Sequence, residues 1–148
     1  MRVLIDADGC PVTKSVVSIC KSHEIEAVII CDTAHTFNID NVEVITVDKG
    51  ADSADFRLVN MIQKNDIVVT QDYGLAAMCL ARKASVINQN GTLYSSDNIE
   101  ALLLQRHTAR KIRNAGGRLK GPQKRTESQN AEFEKALLKL ITDIKSTL

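Results

Sequence analysis

The chain has 148 residues, hydrophobic residues make up 44% of it, and its formal net charge is +1. That is long enough for a real core and too apolar for a disordered segment. No stretch approaches the roughly 20 apolar residues of a membrane helix, so a membrane-spanning role is excluded.

The elements follow in order. Val3, Leu4 and Ile5 form a short apolar run suited to a buried strand, with Asp6 at its end and Asp8 two residues on. Gly9 suits a tight turn, and Pro11 suits the first position of a helix. That helix is expected over 11–23, with Val12, Val16, Ile19 and Cys20 on its apolar side. Residues 26–31 (EAVIIC) read as a second strand, 32–41 as a loop and 42–47 (VEVITV) as a third strand. A helix is expected over 51–63, with Ala54, Leu58, Met61 and Ile62 inward. Residues 66–70 (DIVVT) form a fourth strand, 73–82 a helix and 84–88 (ASVIN) a fifth strand. Strands alternating with helical segments predict an α/β fold, a mostly parallel sheet of about five strands with helices on both faces.

Asn90-Gly91 is a turn signal, and 92–94 could add a short edge strand. Asp97 and Glu100 make a capping-type start for a helix over 97–114, with Ile99, Leu102, Leu103 and Ile112 on its buried side. Residues 115–126 are a basic loop containing Gly and Pro. A last helix spans 127–146, with Phe133, Leu137, Leu140, Ile141 and Ile144 on one stripe. No repeat or second domain is visible, so one domain over 1–148 is expected, with the last two helices packed on it.

The acids carry the chemistry. Parallel strands would bring Asp6, Asp8, Asp52, Asp55 and Asp72 to one sheet edge, the edge where open α/β sheets bind ligands. Carboxylates crowded there repel one another unless a cation offsets them. Mg²⁺ or Mn²⁺ would suit them, held by one or two carboxylates plus waters. Such an ion serves phosphoester chemistry without choosing between diesters and monoesters. Each acid also has a plainer use: Asp8 could cap the first helix, and Asp52 or Asp55 the second. Thr70 could orient a water or phosphate, or simply end its strand.

Charge is unevenly spread. Residues 1–100 carry 8 basic and 14 acidic side chains, whereas 101–126 carry 8 basic and none acidic. Those eight are Arg106, Arg110, Lys111, Arg113, Arg118, Lys120, Lys124 and Arg125. Arg106, Arg110 and Arg113 share one helix face. The run could be a solvated face or a contact for the phosphates of a nucleic acid. The four cysteines form no C-x-x-C pair, and no secretory signal is expected, which fits a reduced, cytoplasmic protein. Cys10 with His35 could make a thiol hydrolase, but a small packed thiol is the simpler use. His23 and His107 fall at surface helix positions.

The opening IDADGCPV (5–12) closely resembles the start of the YaiI/YqxD family of uncharacterised bacterial proteins. The resemblance continues in GADSAD (50–55), DIVVTQDYGLA (66–76), LYSSDNI (93–99) and Gly121-Pro122, covering nearly the whole chain. It implies a PIN-like three-layer α/β sandwich and a predicted nuclease. ADFRL (54–58) and VTQDYGLA (69–76) are similar to segments of PIN domains more broadly. By that similarity Asp6, Asp55 and Asp72 would bind metal, with Asp8 and Asp52 as further members. The resemblance thus implies a metal-dependent nuclease acting on RNA, single-stranded or structured, assisted by Thr70 and the basic residues. IDADGCPV also resembles the D-x-D start of haloacid-dehalogenase-type phosphatases, in which Asp6 would be the nucleophile and Asp8 the acid/base. A third possibility is an RNA-binding module without turnover.

Overall fold

The structure is a computed structural model that describes residues 1–32, 39, 42–48, 53–117 and 124–148. Five strands make one parallel sheet: β1 (Arg2–Asp6), β2 (Glu26–Asp32), β3 (Glu43–Val47), β4 (Ile67–Val69) and β5 (Ser85–Ile87). Their spatial order is β3-β2-β1-β4-β5. The helices are α1 (Thr13–Ser22), α2 (Ser53–Met61), α3 (Tyr73–Ala81), α4 (Ser96–Asn114) and α5 (Glu127–Ser146). The result is a three-layer α/β sandwich, as the alternating pattern predicts.

Successive strand residues face opposite sides, and this sorts the core into two halves. Val3 and Ile5 join Ile29 and Val69 beneath α1 and α5, where Val16, Cys20, Phe133, Leu137 and Ile141 pack. Leu4 joins Val28, Ile30 and Val68 beneath α2, α3 and α4, with Leu58, Leu75, Cys79 and Ile99. Asp6 shares the parity of Leu4, so it belongs to the α2–α3–α4 side.

β1 is the pivot. The chain builds outward from it through β2 to β3, then crosses to its other flank with β4 and β5. The carboxyl ends of β1 and β4 are therefore the point where the winding direction reverses, the place where such sheets open a crevice.

At the opposite edge, Asp66 is 1% exposed and fully engaged. Its Oδ1 accepts from the Arg2 backbone N–H at 3.1 Å. Its Oδ2 accepts from Arg2 Nη2 at 2.8 Å and from the Gln63 N–H at 2.8 Å. Arg2 also donates to the Met61 carbonyl at 2.6 Å. The carboxylate in turn holds the guanidinium protonated, its pKa raised by the hydrogen bond to Asp66 despite partial burial.

Several boundaries differ from the sequence reading. Pro11 lies in a turn and α1 begins at Thr13, with Val12 at its N-cap and no side chain capping it. Asp32 belongs to β2, and most of the loop expected over 32–41 lies outside the described residues. The α4 start is set by a capping box of Ser95 and Asn98 in place of Asp97 and Glu100. Ser95 Oγ accepts from the Asn98 N–H at 3.3 Å, and Asn98 Oδ1 accepts from the Ser95 N–H at 2.9 Å. A serine frees the N2–N3 amides from solvent as well as an aspartate does, and here it lies one residue before the helix. The edge strand expected over 92–94 reduces to a single antiparallel bridge, Ile87 to Leu93.

Gly91 has φ +88°, and a Cβ there would lie 2.9 Å from the Ala136 side chain, so α5 sits directly on this turn. α5 matches its expected span. In α4, Ile99 is buried and Leu102 and Leu103 pack beside it, but Ile112 is 40% exposed. Nearly all residues of the second half of α4 are exposed, so the apolar spacing at Ile112 finds no core. Among the described residues, no helix is long and apolar enough to cross a membrane.

Candidate functional site

A cleft of about 530 Å³ opens at the reversal point, lined by Asp6, Asp8, Asp55, Gln71, Asp72, Tyr73 and Arg106. Each residue arrives by a separate route. Asp6 is the last residue of β1, and Asp8 follows in the Gly9 turn, where φ is +75°. Asp55 comes from the first turn of α2. Asp72 is the N-cap of α3, its Oδ1 accepting from the Leu75 N–H at 3.1 Å. Arg106 reaches in from α4, one turn beyond Leu102 and Leu103.

Thr70 ties the acids together. It is 1% exposed, and its Oγ1 donates to Asp6 Oδ2 at 2.7 Å while accepting from the Asp72 N–H at 3.0 Å. Its own carbonyl accepts from the Tyr94 hydroxyl at 3.3 Å. One hydroxyl thus links the Asp6 carboxylate to the Asp72 backbone. Thr70 holds the Asp6 carboxylate and the start of α3 in fixed relation.

Asp6 is electrostatically unusual. Its pKa is pushed up to about 6, chiefly by burial, against the lowering effect of the Thr70 hydrogen bond. Asp55, Asp8 and Asp72 add repulsion in the same upward direction. Of the five acids that sequence spacing assigned to one edge, Asp55, Asp8 and Asp72 therefore act on Asp6 in space. Only Arg106 opposes them among the described residues lining the cleft; its Nη1 lies 3.4 Å from Asp72 Oδ1.

A family model described as "Uncharacterized BCR, YaiI/YqxD family" matches residues 4–143. This chain belongs to the YaiI/YqxD family. It is 48% identical over 143 residues to a UPF0178 protein of Exiguobacterium sibiricum, covering 97% of this chain and 98% of the relative. A UPF0178 protein of Ruminiclostridium cellulolyticum is 50% identical over 141 residues, covering 95% and 92%. One of Clostridium acetobutylicum is 42% identical over 143 residues, covering 95% and 97%. No solved structure gives a significant match.

In this YaiI/YqxD protein the donor set is all carboxylate oxygen, which suits a hard divalent cation such as Mg²⁺ or Mn²⁺. Among the described residues, no three His, Cys, Asp or Glu side chains converge closely enough to cage an ion. The arrangement fits an ion held by one or two carboxylates with waters completing its sphere. Asp6 and Asp72 are joined through Thr70 Oγ1, which donates to the Asp6 carboxylate and accepts from the Asp72 N–H. Asp52 lies outside the described residues.

The remaining candidates divide. Asp8 is no helix cap: its carboxylate accepts from the Asp32 N–H at 3.3 Å, bracing the β1 turn against β2. Arg110 lines a neighbouring hollow with Leu103, Arg106 and His107. Lys111, Arg113 and Lys124 are exposed, and Arg118 and Lys120 lie outside the described residues. Arg125 is committed elsewhere: it donates to Asn130 Oδ1 at 2.6 Å, Asn90 Oδ1 at 2.6 Å and the Gln89 carbonyl. It clamps the 88–91 turn to the start of α5, so the structure gives it a fold role where sequence suggested a phosphate contact. Cys10 is half-buried, His35 lies outside the described residues, and Cys20, Cys31 and Cys79 are buried thiols. Burial raises the pKa of Cys20 to about 11 and of Cys79 to about 12, so neither is a nucleophile.

Two cleft residues escaped the sequence reading. Tyr73 lines the cleft and meets Tyr94 edge to face, with centroids 6.1 Å apart. Gln71 donates from Nε2 to the Gly9 carbonyl at 2.5 Å, pinning the turn that carries Asp8. Their signal was their adjacency to Asp72.

Proposed function

We propose that this protein is a PIN-like, divalent-cation-dependent nuclease that hydrolyses phosphodiester bonds in RNA. The observation that carries the reading is the half-buried Asp6, held by Thr70 and raised in pKa by burial and by the charges of Asp55, Asp8 and Asp72 at the reversal point. In this reading Asp6 and Asp72 hold Mg²⁺ or Mn²⁺ directly, and Asp55, Asp8 and Asp52 act on it through the waters that complete its sphere. When bound, such an ion lowers the pKa of water and stabilises charge on a phosphoryl group. Thr70 fixes the spacing of two of the ligands. Arg106, Arg110, Lys111 and Arg113 hold the strand by its phosphates, with Arg118, Lys120 and Lys124 continuing the basic track.

The aspartyl-phosphatase alternative has less support. Its chemistry calls for a lysine beside the nucleophile, and among the described residues the cleft is lined by no lysine.

The test is cleavage of single-stranded RNA with Mn²⁺ by protein free of contaminating nucleases. Asp6→Asn and Asp72→Asn should each abolish cleavage while leaving the protein folded. Asn at 72 retains a capping oxygen, so α3 should keep its start. A wild-type protein inert across RNA and DNA panels would sink the proposal. RNA binding that survives both EDTA and the loss of Asp6 would mark a binding module instead.

A further inference from the structure

Arg106 is the feature that the carboxylate chemistry leaves unexplained. It is a cation facing the very acid that a divalent ion would use. The pair is long, at 3.4 Å, and both side chains are well exposed, 45% for Arg106 and 38% for Asp72. Exposed pairs of this kind contribute little, so this one is easily exchanged.

Asp72 does not depend on Arg106 for its position. Its carboxylate caps α3 through the Leu75 N–H, and its own N–H is held by Thr70 Oγ1. It stays presented to the cleft when the guanidinium leaves. The backbone at Arg106 is anchored by the packing of Leu102 and Leu103, and its side chain is 45% exposed. A guanidinium matches a phosphate in a two-pronged fashion that a lone carboxylate oxygen at 3.4 Å does not satisfy.

What Arg106 would swing toward is set by its neighbours. Arg110 follows one helical turn later, and the two line a hollow of about 290 Å³ with Leu103 and His107, next to the acid cleft. Four residues of helix advance about 6 Å, comparable with the spacing of adjacent phosphates along an extended strand. A ligand that satisfies both arginines carries two consecutive phosphates, as an oligonucleotide does and a phosphomonoester does not.

Resting on the metal-dependent reading above, we propose that Arg106 changes partner when substrate loads. It leaves Asp72 for a backbone phosphate, so that Asp72 becomes fully available to the cation only as the strand arrives. Cation and oligonucleotide then bind with positive coupling, and Arg106 is the residue that carries it. Coupling of this kind is reciprocal: each ligand tightens the other by the same factor.

The experiment measures Mn²⁺ affinity by calorimetry with and without a short 2′-O-methyl RNA, which resists cleavage. In wild-type protein the RNA should tighten Mn²⁺ several-fold. In Arg106→Gln, Mn²⁺ alone should bind several-fold more tightly than to wild type, RNA should bind more weakly, and the coupling should vanish. Lys139→Gln, which removes one positive charge from the outer face of α5, should leave both affinities unchanged. Mn²⁺ binding that is unchanged or weaker in Arg106→Gln, or coupling that persists in it, overturns the inference alone. A wild-type protein that binds no Mn²⁺ overturns the metal-dependent reading and this inference with it.

Discussion

The sheet carries an aspartate at each end, Asp66 buried and Asp6 half-buried, and the two are treated in opposite ways. Asp66, at the amino edge, sits against Arg2 and collects hydrogen bonds from Arg2 and Gln63. Asp6, at the carboxyl edge, receives one side-chain hydrogen bond, from Thr70, and faces Asp8, Asp55 and Asp72. Asp66 is a closed structural joint. Asp6 is held in place but under-compensated, and its raised pKa of about 6 records that state. A protein that can fully pair a buried carboxylate at one edge leaves another with no cation of its own among the described residues, and one side-chain hydrogen bond, at the edge where its topology opens a crevice. The difference separates the residue that holds the fold from the residue that awaits a ligand.

Mutation at the two ends should move stability in opposite directions. Asp66→Asn removes the charge that Arg2 is buried against, and should cost about 3 kcal/mol, read from urea denaturation. A loss below about 1 kcal/mol would break the comparison. Asp6→Asn should instead stabilise the protein by about 1–2 kcal/mol at pH 7. The sign follows from the raised pKa. Above about pH 6 the folded state holds an ionised carboxylate that its surroundings disfavour. As pH falls toward 4, the folded state takes up this proton before the unfolded chain does, and the penalty disappears. The gain of Asp6→Asn should therefore shrink to nothing near pH 4; a gain that persists there would assign it to some other cause.

A subtler change sharpens the picture from the side of Thr70. Thr70→Val keeps the volume but removes the donor to Asp6 and the acceptor for the Asp72 N–H. It should cost about 1 kcal/mol and drive the Asp6 pKa further up, since the hydroxyl lowers it. A carboxyl-carbon NMR titration of Asp6 reads the shift directly. An unmoved titration would mean that the hydroxyl does not hold the charge.

Much of this was legible in the order of residues. Val3-Leu4-Ile5 followed by Asp6 marks both the central strand and the site, because an acid directly after a buried run must sit at a strand end. Asp55 and Asp72 were readable as partners because each opens a helix that follows a strand. The ion pair of Arg2 with Asp66 was not readable, since 64 residues separate them and neither breaks its strand pattern. Arg106 and Arg125 looked alike within one basic run. Only the packing of α4 against α3, and of α5 against the 88–91 turn, sends one into the cleft and locks the other into the fold. Ser95 was overlooked as a cap because Asp97 offered the stronger charge pattern, yet a cap is decided by which side chain stands just outside the first helical residue.

The most direct measurement is a crystal of this protein soaked in Mn²⁺ and read by anomalous scattering. The expected result is a peak in the cleft within coordination distance of Asp6 and Asp72. A saturating soak with no peak there, or with Asp6 and Asp72 turned to separate partners, would contradict it.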